Sequence, residues 1–180
     1  MLARVLRLAG LALLAALVLF SAVTFGDLPA SIAQHFDASG APTRFEETSL
    51  VSWFALPAIA AFTWGLMTVV GAQLPAHPEL FNFPQKARFL ALPPSHRGPV
   101  IAEMRAFLEA TGVLVVALLL VVQLMVWRVA TQGSAGALAK APLVGAVLLP
   151  VLLLLWLPRL GRAVSAAERR VQAERTHAAR

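Results

Sequence analysis

His35 and Asp37 stand two residues apart in the stretch LPASIAQHFDASGAPTRFEETSLVSWFAL, residues 28–56. On an extended segment that spacing puts both side chains on one side. There an imidazole and a carboxylate can share a metal ion or pass a proton. A metal site needs three or four ligands, and the further candidates nearby are Asp27, Glu46 and Glu47. The other histidines, His77, His96 and His177, belong to segments expected on the opposite side of a membrane. A structural reading competes with the metal one. Ser39-Gly40-Ala41-Pro42 is a turn-forming cluster, and His35 and Asp37 suit hydrogen bonding to loop backbone over the Gly40 turn. The structural reading is preferred, and no metal, catalytic residue or cofactor is expected.

The elements that must hold this loop are apolar. The 180 residues are 59% hydrophobic and 13% charged, against about 25% charged in soluble domains, so the chain reads as a membrane protein. Crossing the hydrocarbon core takes about 20 mostly apolar residues. Four runs qualify, predicting helices over about residues 5–26, 50–73, 99–130 and 142–158. The first run follows Arg4 and Arg7, as a signal peptide's would, but it is longer than a signal's core and lacks a clean cleavage site, so a retained helix is expected. Pro57 falls in the first turns of the second run, where it costs little or bends the helix modestly.

Residues 74–106 carry Phe81, Phe83, Phe89, Leu90 and Leu92 among polar residues. They are expected as a short helix, capped by Asn82 with Pro84 in its first turn, lying apolar side down on the membrane surface. Glu103, Arg105 and Glu109 are expected to project from the membrane ahead of an apolar body over residues 110–127. Residues 161–180 read as a basic tail, a surface helix or frayed extension, with Leu160, Val164, Ala167 and Val171 at helical spacing. Trp53, Trp127 and Trp156 fall near run ends and read as interface anchors. Gly10, Ala12, Ala15 and Ala16 permit close helix packing in the first helix.

Charge orients the bundle. The first loop holds four acidic residues and one arginine, while the N-terminus, residues 74–106 and the tail are basic. Counting Lys and Arg on the short flanks puts both termini in the cytoplasm and residues 27–49 outside, with Arg128 and Lys140 running against the rule. The chain's net charge of +6 reads as orientation and attraction of anionic lipids to the basic tail, not as nucleic-acid binding. There is no cysteine, which removes disulfides and thiolate metal sites.

Leu28-Pro29, Ile32, His35-Phe36-Asp37-Ala38-Ser39-Gly40-Ala41-Pro42 and Phe54-Ala55-Leu56-Pro57 resemble a bacterial membrane family, the domain of unknown function 1648. Phe81-Asn82-Phe83-Pro84-Gln85-Lys86 is similar to that family's Asn-aromatic-Pro segment. Two places depart from the pattern: Ala33 stands where the family tends to have proline, and Thr43-Arg44-Phe45-Glu46-Glu47 replaces its usual Asp-x-Trp-Gly-Ser/Thr-Lys. The domain is found at the front of SdpI-like immunity proteins, which protect bacteria against a toxin peptide. The resemblance implies a bacterial inner-membrane protein and a recognition or protective role.

Enzyme and transporter readings lack residues. No charged residue or histidine lies in the middle of an apolar run, and Gln123 is the most polar residue well inside one. Ion-coupled transport and proton relays usually need ionisable groups there. An intramembrane hydrolase needs a nucleophile with a base or paired metal ligands, and Ser52 and Thr63 have no such partner. No phosphate-binding fingerprint is present.

The expectation is therefore an all-α integral membrane bundle of four transmembrane helices over residues 1–160, with a basic tail over 161–180. It has an ordered extracytoplasmic loop, short interfacial cytoplasmic helices and a non-enzymatic role. His35, Phe36, Asp37, Ser39, Gly40 and Pro42 form the candidate ligand or partner loop, for a peptide, a lipid or a membrane protein. Pro29, Pro57, Asn82 and Pro84 are structural. The alternative is a small transporter or accessory permease subunit acting as an oligomer, with a water-filled path lined by Gln123, Thr63 and Thr68.

Overall fold

A computed structural model describes residues 1–180. Helix α1 (Leu2–Thr24) runs into a 3-10 turn at Phe25–Asp27. Strands β1 (Ser31–Phe36) and β2 (Pro42–Glu47) then form an antiparallel hairpin ahead of α2 (Leu50–Gln73). Short α3 (Lys86–Ala91), long α4 (Gly98–Gln132), α5 (Ala141–Leu154) and α6 (Leu157–Ala178) follow. Four helical segments are long and apolar enough to cross a membrane, which makes this a multi-pass membrane protein. The expected loop is thus a β-hairpin, and the chain is a helical bundle with one two-stranded sheet rather than purely α-helical.

Helix α4 is the axis of the bundle, touching α1, α2, α5, α6 and β1. Its 35 residues span about 52 Å at 1.5 Å per residue, well beyond a hydrocarbon core of about 30 Å. The excess carries two different attachments, one at each end. At its C-terminal end, before Gly133 turns left-handed at φ +74, α4 supports the hairpin. At its N-terminal end it supports α3 and α6.

That second attachment revises three expectations. Phe83, Phe89 and Leu92 are buried against Val100, Met104 and Leu108 of α4 and Leu160, Val164 and Ala167 of α6. The apolar side of α3 therefore faces protein, not membrane, because α6 offers it a matching stripe at helical spacing. Each fully buried Phe or Leu in this cluster contributes roughly 1.5–3 kcal/mol. The tail is not a separate extension. Residues 161–180 continue α6, and Arg88 ties it to α3 by ion-pairing with Glu168 (Nε to Oε1 3.0 Å). Helix α5 stops at Leu154 and the chain restarts as α6 with Pro158 in its first turn, the fourth apolar segment long enough to cross a membrane running through both.

Asn82 caps no helix. It is exposed, α3 begins at Lys86 after Gln85, and no side chain caps it. Pro84 sits in the preceding turn rather than within the helix. The α2 start is the well-capped one: Ser49 Oγ accepts from Ser52 N–H (3.0 Å), and Ser49 N–H donates to Ser52 Oγ (2.9 Å). In α1 only Gly10 of the four small residues is buried, where an added Cβ would stand 2.5 Å from Trp64 Nε1. Ala12, Ala15 and Ala16 are exposed.

Candidate functional site

The hairpin is closed at its base by Thr48, whose Oγ1 donates to Pro29 O (2.6 Å) and whose N–H donates to Ala30 O (2.9 Å). Its tip is closed by Asp37. The carboxylate Oδ1 accepts from Ser39 N–H (2.8 Å), Ser39 Oγ (2.6 Å) and Ala41 N–H (3.0 Å), and Gly40 N–H donates to Asp37 O (3.0 Å). Gly40 has φ +82, and a Cβ there would lie 2.6 Å from Ala139 O in the α4–α5 connection. Both backbone handedness and contact therefore demand glycine. Gly40→Ala is expected to cost about 1–2 kcal/mol in backbone strain alone and to lift the tip from Ala139. Faster hydrogen exchange at residues 37–41 checks this.

The hydrogen bonds from Ser39 and Ala41 hold the Asp37 carboxyl below its usual 3.8. A depressed folded value means that Asp37 stabilises the turn fully above pH 3.8 and that this support is lost as the pH falls through the folded value. Asp37→Asn retains an acceptor that does not titrate. Its tip is expected to stay equally ordered across that acid range, while the wild-type tip loosens; amide chemical shifts of residues 38–41 followed over the titration distinguish the two.

Beneath the hairpin lies a floor built from helix ends. Ile32 packs on Trp53 and Val126, and Ala33 on Met125, Val129 and Ala135. Adjacent strand residues normally face opposite ways. Here the pairing register shifts between Ala33 and His35, a bulge of the kind that re-aims side chains. The intervening Gln34 turns its amide onto Ser52 O (3.3 Å). Pro57, buried inside α2, removes the N–H that would otherwise bond the carbonyl four residues back. That carbonyl is Trp53 O, and the fully buried Gln123 of α4 supplies the missing donor through Nε2 (3.2 Å). Trp53 itself is 1% exposed and donates Nε1–H to Ser21 O of α1 (2.8 Å). The expected interface anchor is a core residue joining α1, α2, α4 and β1.

The loop residues are brought together unequally. Asp37, Ser39 and Gly40 build the turn, Phe36 packs inward on both clusters of the floor, and Pro42 opens β2 opposite Phe36. His35 is exposed, stands across from Arg44, and makes no hydrogen bond over the turn, so the structural role falls to Asp37 alone. No cluster of three or more imidazole, thiol or carboxylate groups forms with His35 and Asp37. Gln123 does not line a path: its amide is spent on Trp53 O in a buried site.

A second polar site was not expected. Glu109 does not project outward; it is 1% exposed between α1, α2 and α4. Its Oε1 accepts from Arg7 Nε (2.8 Å) and Nη2 (2.6 Å), and its Oε2 lies 3.5 Å from Thr68 Oγ1. Arg7 precedes the first apolar run and Glu109 immediately precedes the third, and α1 and α4 run parallel, so both mark the same end of the bundle. Opposite charges at matched boundaries were the signal available in the sequence.

With this geometry in view, one comparison bears on the hairpin. Residues 12–61 match the family model of a domain of unknown function, DUF1648. The DUF1648 segment takes in most of α1, the whole hairpin and the first half of α2 with Pro57. Its partners in the floor, Gln123, Met125 and Val126, lie in α4, beyond the match. No curated protein and no solved structure matches the chain.

Proposed function

We propose that this chain is a non-enzymatic recognition or protective protein of the bacterial inner membrane, related in role to the front domain of SdpI-like immunity proteins. Both termini lie in the cytoplasm and the hairpin faces outward, as the basic and acidic segments argue. The ligand is an extended peptide taken up by β2. The observation that carries this reading is the contrast between the two strands. β1 is anchored through buried Ile32 and Ala33, whereas Thr43, Arg44 and Phe45 of β2 are exposed, Phe45 by 55%. The sheet has two strands only, so the outer edge of β2 presents backbone donors and acceptors to an added strand. Arg44 and Glu46 form an ion pair across one face (2.7 Å), which gives the edge a polar pattern for register.

The test is survival of a bacterial strain producing the protein when challenged with secreted toxic peptides. Production is expected to protect, and Phe45→Ser is expected to abolish protection at unchanged protein level in the membrane. Full protection by Phe45→Ser, or none by the wild type, would sink the proposal.

A further inference from the structure

A groove of about 830 Å3 opens beside α1 and α4 at the end of the bundle remote from the hairpin. Arg4, Arg7 and Leu8 of α1 line it together with Ile101, Glu103 and Arg105 of α4. The three arginines are used incompletely. Arg7 commits Nε and Nη2 to Glu109. Arg105 commits Nε to Gly71 O (2.8 Å) and Nη2 to Ala72 O (3.4 Å), the unsatisfied carbonyls at the end of α2. Each guanidinium therefore keeps Nη1 free, and Arg4 is exposed with its side chain making no hydrogen bond to protein. Glu103 and Glu109 offset two of the three charges, leaving the groove cationic. The first turn of α4 also borders it, adding the partial positive charge of a helix N-terminus.

The same groove runs onto apolar surface. Leu8 lines it while remaining 58% exposed, and Leu11 one turn further along α1 is 48% exposed. Planar donors at the boundary followed by outward-facing leucines match a molecule that joins a phosphate to hydrocarbon chains. We propose that this groove binds the headgroup of an anionic phospholipid, phosphate against Arg4 and the free edges of Arg7 and Arg105, acyl chains along the outer face of α1. This site is separate from the tail, whose Arg169 and Arg170 are exposed on α6 and attract anionic surfaces only diffusely. It is also independent of the hairpin and of any peptide ligand.

The test titrates the full chain, purified in neutral detergent, with short-chain phosphatidylglycerol and counts bound lipid by native mass spectrometry. Arg4→Gln is the informative variant, because Arg4 holds no structural contact; Arg170→Gln removes an equal charge from the tail. One saturable lipid is expected on the wild type, with roughly fivefold weaker binding in Arg4→Gln and no change in Arg170→Gln. Equal effects of the two variants, or none, would mean diffuse attraction and overturn the site. Short-chain phosphatidylcholine is expected to bind more weakly than phosphatidylglycerol, and equal binding would overturn the anionic preference. Inorganic phosphate is the last arm. If it displaces the lipid at comparable concentration, the groove is a free-anion site and the lipid assignment fails.

Discussion

Arg7→Ala is expected to destabilise the bundle by about 2–3 kcal/mol. Removing one partner of a buried ion pair costs about 3–5 kcal/mol because the other charge is left desolvated. Glu109 is 1% exposed, but Arg7 is 44% exposed, so the pair is partly screened and the lower figure applies. Thr68, 3.5 Å from the far carboxylate oxygen, is too distant to replace a two-pronged guanidinium. The informative companion is Arg7→Met with Glu109→Met. Two apolar side chains of similar length leave no stranded charge, and stability is expected to return close to the wild type. Unfolding of the purified protein in mixed micelles measures both. A double variant as unstable as Arg7→Ala would show that the site needs ions, not merely the absence of an unpaired one.

Trp53→Ala is the second large change, at about 3–4 kcal/mol. It empties the site that Ile32, Val126, Phe54 and Trp127 surround and removes the Nε1–H donor to Ser21 O. It also loosens the α2 backbone at the point where Gln123 compensates for Pro57. Ile32 loses its main partner while Ala33 keeps Met125, Val129 and Ala135, so residues 31–47 are expected to lose part of their hydrogen-exchange protection together. The α3–α6 cluster lies at the other end of α4 and is expected to keep its protection. Trp53→Phe, retaining most of the packing but not the hydrogen bond, is expected to fall between. Unchanged protection at residues 31–47 in Trp53→Ala would show that the floor does not hold the hairpin.

Both predictions turn on contacts between distant parts of the chain, and here the sequence was least informative. The four apolar runs were legible because a span must be apolar over a fixed length. Helix α2 was placed at residues 50–73, as observed. The stripe Leu160, Val164 and Ala167 was legible for a similar reason, since a 3.6-residue repeat reports an apolar face. Such a repeat says which face is buried but not against what. The stripe met Phe89 and Leu92 of α3 instead of lipid, and that choice belongs to tertiary packing.

The candidate site divides the same way. Asp37, Ser39 and Gly40 announced a turn through local backbone chemistry, and the turn is there. That it closes a hairpin was hidden, because burial of the neighbours Ile32 and Ala33 breaks the two-residue alternation that marks a strand. Trp53 near a run end looked like an interface residue until α1 and α4 were set beside it. Arg7 and Glu109 are 102 residues apart, and Gln123 is 70 from Trp53. Local pattern sets helix length and apolar face. The relative depth and rotation of the helices decide which polar groups meet, and those depend on every contact along α4 at once.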